Sequence, residues 1–175
     1  MSRINTRVVN RMIEIPPAVR ALFVTAGWFP GRTVQLSPNV PPDHPAAAIL
    51  TQFSGLVVGT SGPGEECATS DVAFQETLWK DARLDSWARL LRTDLVGVAE
   101  MSNEHEALYV DRNGRCYGAS LISDGFGFEG VSFSEAIERR LLGRRSRPML
   151  RPDQNVVRWY GEEICGQDPR IYHWD

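Results

Sequence analysis

A fold that mixes helices with one sheet, the sheet gathered around a β-hairpin, is what this sequence predicts, and three observations predict it. Residues 108–118 hold two β-prone runs, 108–110 and 115–117, on either side of Asn113-Gly114, a dipeptide that tolerates the positive φ of a tight turn. Apolar residues recur at helical spacing before and after that stretch, each time beside a start or stop signal. The 175 residues, 42% of them hydrophobic, suit one soluble globular domain with a continuous core.

Within the hairpin, alternation puts Leu108 and Val110 on one face with Tyr109 on the other, and sends Cys116 opposite to Arg115 and Tyr117. One face is therefore expected to be buried and the other wetted.

Taken in order, residues 1–15 form either a loose arm or a strand over 7–15. Pro16-Pro17 opens a first helix, Val19, Leu22, Phe23 and Ala26 share its apolar face, and Gly27 stands where a left-handed cap is wanted. Trp28 and Phe29 follow in a turn that closes with Pro30-Gly31-Arg32, and residues 33–36 are β-prone. Trp28 reads either as an anchor for a partner or as a plug beneath the helix end, and packing is the commoner use of such a ring.

A proline-rich loop over 37–45 leads to a second helix capped by Asp43, with Ala46, Ile49, Leu50 and Phe53 on one face and Ser54-Gly55 as its stop. Residues 56–58 are a short buried-strand candidate, 59–64 a solvated glycine loop, and 71–78 a further strand. Leu84, Trp87, Ala88 and Leu91 mark a third helix, so Trp87 is expected in the core. Residues 95–101 are β-prone and 102–106 make a polar turn. Beyond the hairpin, 119–122 extend its second strand and 123–130 read as a mobile loop. Ser132 with Glu135 makes a capping box for a fourth helix, whose apolar face is Phe133, Ala136, Ile137 and Leu141 and whose end is Gly143. The tail carries Val156, Val157, Trp159, Tyr160, Ile164, Tyr172 and Trp174, too much apolar surface to leave in water, so it packs on the domain or on a partner.

The chemistry-bearing signals mostly exclude. Gly59 and Gly64 stand at P-loop separation, but Glu65 and Glu66 follow where a lysine and a hydroxyl are required. His105-Glu106 lacks the spacing of a zinc deaminase, and Asp111 with Asn113 lacks the closing glutamate of a calcium loop. Cys67, Cys116 and Cys165 are far apart and form no zinc or disulfide framework, which fits reduced thiols in a cytoplasm. No metal or cofactor is expected. No run approaches the length of a membrane span, and the formal charge of −3 disfavours nucleic acid as a direct partner. Arg139, Arg140, Arg144, Arg145, Arg147 and Arg151 are the exception, a basic run without an interposed acid that spans a helix end. Glu65, Glu66, Glu100, Glu104 and Glu106 could together offer acidic charge to a basic partner, or simply be solvated surface.

Two motifs carry a family resemblance. Gly27, Trp28, Pro30, Gly31 and Arg32 spell Gly-Trp-x-Pro-Gly-Arg, and Tyr109, Asp111, Gly114 and Arg115, followed by Tyr117 and Gly118, spell the hairpin Tyr-Val-Asp-x-x-Gly-Arg. With the second helix ending Phe53-Ser54-Gly55-Leu56, they resemble the SUKH superfamily, and within it the third immunity-protein family. The likeness runs from residue 18 to 143. Ser54 departs from the family's usual Gly-Gly, although Gly55 remains for the turn. The resemblance implies a single α+β domain over 16–143, a mostly antiparallel central sheet flanked by about four helices, preceded by the arm and followed by an extension over 144–175. It also implies an immunity protein, not an enzyme, that binds and neutralises a bacterial toxin, commonly a nuclease or another nucleic-acid-modifying enzyme. On that reading Glu65, Glu66, Glu100, Glu104, Glu106 and Trp28 are the candidate toxin contacts. The alternatives are a small-molecule enzyme pairing Cys67 or Cys165 with His105 or His173, and a scaffold that self-associates through its tail.

Overall fold

The computed structural model describes residues 12–77 and 81–174. The arm expected over 1–15 lies outside the described residues up to 11, and residues 12–16 join no ladder. Thirteen elements follow: α1 (Pro17–Thr25), α2 (Pro45–Phe53), β1 (Val57–Val58), β2 (Val72–Thr77), α3 (Ala82–Leu91), β3 (Val96–Met101), β4 (Glu106–Val110), β5 (Cys116–Ser120), β6 (Phe126–Gly130), α4 (Phe133–Leu142), β7 (Arg147–Pro148), β8 (Val156–Trp159) and β9 (Glu162–Cys165).

Strands β1 to β7 form one antiparallel sheet in chain order, and β8 pairs with β9 as a separate hairpin. Each strand pairs with its sequence neighbour, so every crossing is local. This is the α+β arrangement expected, with four helices around an antiparallel sheet.

The hairpin at the centre is β4–β5, with Leu108 opposite Gly118, Tyr109 opposite Tyr117 and Val110 opposite Cys116. Its turn differs in detail from a two-residue Asn-Gly turn. Gly114 alone takes positive φ, +83°, and Asp111 Oδ1 accepts the amides of Asn113 and Arg115 at 2.8 and 2.9 Å. That is the three-residue loop with a left-handed glycine, and the aspartate side chain holds its amides in place.

Both faces of the hairpin are buried, which corrects the expected wet side. Leu108, Val110 and Cys116 join a core under α1, α2 and α4, where Phe23, Phe53, Phe74 and Phe133 meet ring to ring. Ala107, Tyr109, Tyr117 and Ala119 join a second core, closed by Trp87 of α3 and by the tail. Trp87 stacks on Phe126 at 4.5 Å, Trp174 meets Trp87 edge-on at 5.1 Å, and Tyr172 stacks on Phe128 at 3.9 Å. Alternation cannot reveal a cover supplied from 20 or more positions away along the chain.

Other expectations change for local reasons. The stretch read as a mobile loop contains β6, buried throughout, because its glycines admit neighbours: a Cβ on Gly127 would lie 2.4 Å from Cζ2 of Trp159. The β-prone run 33–36 forms no strand. The cap of α2 is His44 rather than Asp43, its Nδ1 accepting the Ala46 amide at 3.1 Å, since Pro45 takes the first helical position. Asp43 instead pairs with Arg112 at 3.2 Å.

Candidate functional site

The Gly-Trp-x-Pro-Gly-Arg turn ties the end of α1 to the end of α2. Gly27, Gly31 and Gly55 take positive φ, Trp28 is buried, and Phe29 is left at the surface. Arg32 donates from Nη1 to the Gln52 carbonyl and from Nη2 to the Ser54 carbonyl, both at 2.7 Å. A guanidinium there satisfies orphan carbonyls at a helix C-terminus and complements its partial negative charge. The motif is thus a structural joint in which Trp28 is buried and Arg32 half-buried, while Gly27, Phe29, Pro30 and Gly31 are exposed.

A second cluster was not legible from motifs. Arg140 of α4, almost wholly buried, reaches Glu129 Oε1 of β6 at 2.5 Å and Glu106 Oε2 of β4 at 2.6 Å. Burial opposes the guanidinium charge, but the two carboxylates more than offset it and hold Arg140 protonated. Burial pushes the Glu129 carboxyl up, while Arg140 pulls it down. The signal for this cluster lay in α4 itself, where Arg140 falls seven residues after Phe133 on the apolar stripe, and a buried charge needs a partner.

The acidic residues named from the sequence separate into two groups. Glu65 chelates Arg144, Oε2 to Nε at 2.7 Å, which holds its carboxyl below the usual range, and Glu66 accepts the Arg145 amide at 2.7 Å. The amides of Glu65, Glu66 and Cys67 bond the Leu142 and Gly143 carbonyls, so this loop caps the end of α4. The loop is solvated, as expected, and fastened to the end of α4. Glu106 belongs to the Arg140 cluster. Glu100, on β3, and Glu104, in the β3–β4 turn, make no ion pair among the described residues.

The basic run is largely consumed internally. Arg139 pairs with Glu135, Arg140 with Glu129 and Glu106, Arg144 with Glu65, Arg145 with Glu162, and Arg151 with Asp124. Arg147 sits over the Tyr172 ring and donates to the Ile171 carbonyl. Five of the six arginines are thus matched by carboxylates, which lowers the net positive charge of the run.

Among the described residues no group of His, Cys, Asp or Glu could hold a metal ion, and no helix is long and apolar enough to cross a membrane. Burial raises the Cys67 and Cys116 thiols, the opposite of nucleophile activation. A cavity of about 160 Å³ lies between Glu106, Arg140 and the tail residues Trp159 and Tyr160.

The sheet, the Arg32 joint and the hairpin are the features a family comparison can weigh. The family model described as SUKH-3 immunity protein matches residues 15–143. This chain belongs to the SUKH-3 immunity protein family. No curated protein and no solved structure matches it. Membership makes the chain an immunity protein with a cognate toxin as partner. As a SUKH-3 protein it places both of the family motifs in the fold, while residues 144–175, beyond the match, supply β7, the β8–β9 hairpin and the aromatic cover of the second core.

Proposed function

We propose that this SUKH-3 protein neutralises its toxin by covering the toxin's active site, and that the toxin docks on the half of the sheet left open over β1, β2 and β3. One observation carries this reading. Val57, Ala73 and Glu100 stand in register across those three strands on the face away from α1, α2 and α4, and Val57 is 60% exposed. Farther along the same face, α3 and the tail supply the cover that is missing here.

Charge supports the same surface. Glu65, Glu66 and Glu106 are engaged within the molecule, whereas Glu100 and Glu104 remain to face a basic partner. Carboxylates presented to a positively charged substrate channel speed encounter, and apolar contacts such as Val57 set the lifetime of the complex. A nuclease or another nucleic-acid-modifying enzyme has such a channel. Trp28 then acts from beneath, shaping the turn that holds Phe29.

The test is co-expression with the toxin encoded beside this chain, followed by Glu100→Lys and Glu104→Lys together. Protection by the native chain and its loss in the double variant, with the fold intact by circular dichroism, is the expected result. Full protection by the double variant would remove this surface from the reading, and no protection by the native chain would remove the pairing with that toxin.

A further inference from the structure

Helices α3 and α4 are capped by oxygen, the Asp81 carboxylate on the Leu84 amide and the Ser132 hydroxyl on the Glu135 amide. Helix α2 is capped by nitrogen. His44, 2% exposed, accepts the Ala46 amide at its Nδ1 at 3.1 Å, behind Pro45, which has no amide to offer. An Nδ1 that accepts carries no proton, so the ring is the neutral tautomer with its hydrogen on Nε2. The Asp94 backbone approaches the ring, but buried Nε2 closes no hydrogen bond among the described residues.

A second proton on this ring has only Nδ1 to go to, where it would meet the Ala46 N–H donor to donor and end the cap. The charged groups around the ring offer little to hold it there. Asp94, before β3, is held by Arg112 Nε at 2.7 Å, and Asp43, next to His44, by Arg112 Nη1 at 3.2 Å. Asp111, in the β4–β5 turn, is occupied by the amides of Asn113 and Arg115 and by the Tyr117 hydroxyl. Burial, helped by the Arg112 charge, outweighs the Asp94 backbone and the Asp94 and Asp111 carboxylates, and holds the imidazole below its ordinary 6.5.

We infer that His44 is a proton-sensitive latch at the start of α2: neutral, it fastens the helix, and protonated, it releases that end. Below pH 6.5 the unfolded or opened chain binds a proton that the closed chain refuses, so stability is complete above that value and falls as pH drops beneath it. The latch is closed at neutral pH and loosens in mild acid. Since α2 packs on β2 and β3, it sets how firmly that helix is held on the sheet.

The test is amide hydrogen exchange of the full chain between pH 7 and pH 5, corrected for the intrinsic pH dependence of exchange. Opening at Ala46 and Ala47 is expected to rise at least about threefold in the native chain, with no matching rise at Glu135 under its Ser132 cap. His44→Asn keeps a capping oxygen that does not titrate, and is expected to abolish the rise. Imidazole 15N shifts of the native chain make the test independent of how that variant folds. Nδ1 of His44 is expected to be unprotonated at pH 7 and to titrate below 6.5, with the exposed His105 and His173 as internal references. A proton on Nδ1 at pH 7, opening that stays flat or rises equally at Glu135, or a native pH response in His44→Asn would overturn the latch.

Discussion

Arg140 stands directly over Gly118. A Cβ at Gly118 would lie 2.7 Å from Arg140 Nη2 and 2.5 Å from Glu129 Oε1, so the absence of a side chain on β5 is what lets the buried ion pair form. Gly118→Ala should push the pair apart and leave charges buried without partners. The expected cost is about 3 kcal/mol, read as a lower urea midpoint at unchanged m-value. A loss below about 0.5 kcal/mol would show that the pair tolerates displacement.

Arg32 should behave as a helix cap. Arg32→Met keeps the aliphatic stem but strands the Gln52 and Ser54 carbonyls, at a cost of about 2 kcal/mol. Arg32→Lys should recover only part of it, because a single ammonium cannot reproduce two divergent 2.7 Å bonds. Equal stability of the lysine variant and the native chain in chemical denaturation would refute the two-bond cap.

The tail is expected to contribute to stability. Tyr172→Ala removes a ring stacked on Phe128 and the seat of the Arg147 cation, and should cost about 2 kcal/mol, roughly a 4 to 8 °C fall in Tm for a chain of this size. A chain ending at Gly143 would lose β7 and bare Trp87, Phe126 and Phe128, and should aggregate on size-exclusion chromatography. A monodisperse, cooperatively melting product would contradict the second core described above.

Acid should weaken the tail through Asp168. Hydrogen bonds from Arg170 hold its carboxyl down at about 2, from an ordinary 3.8. A depressed folded-state value means the contribution is complete above the unfolded value and lost as pH falls through the folded one. Native Tm should therefore exceed that of Asp168→Asn above about pH 4, and the gap should narrow between pH 4 and pH 2. A gap that holds constant down to pH 2 would assign the effect to packing instead of charge.

The sequence by itself determined the parts that act over a few residues. Ser132 with Glu135 starts α4 and Gly143 ends it, Gly27 closes α1, and the central hairpin turns at Gly114, while its register, with Leu108 opposite Gly118, follows from a three-residue loop that the sequence alone did not specify. Caps, turns and periodicity are chemistry of neighbours, so they can be read from neighbours. Family membership was equally legible, because the Gly-Trp-x-Pro-Gly-Arg joint needs those residue types at that spacing.

Tertiary structure decided what depends on distant partners. Glu65 and Arg144 are 79 positions apart, and nothing near either one says that they cancel. The same holds for Glu129 and Glu106 around Arg140, and for the tail that turned an expected wet face into a second core. Charge and burial are settled by what folds against a residue, not by what precedes it. Two candidate toxin-facing carboxylates, Glu100 and Glu104, thus emerged only once the fold had used up the others.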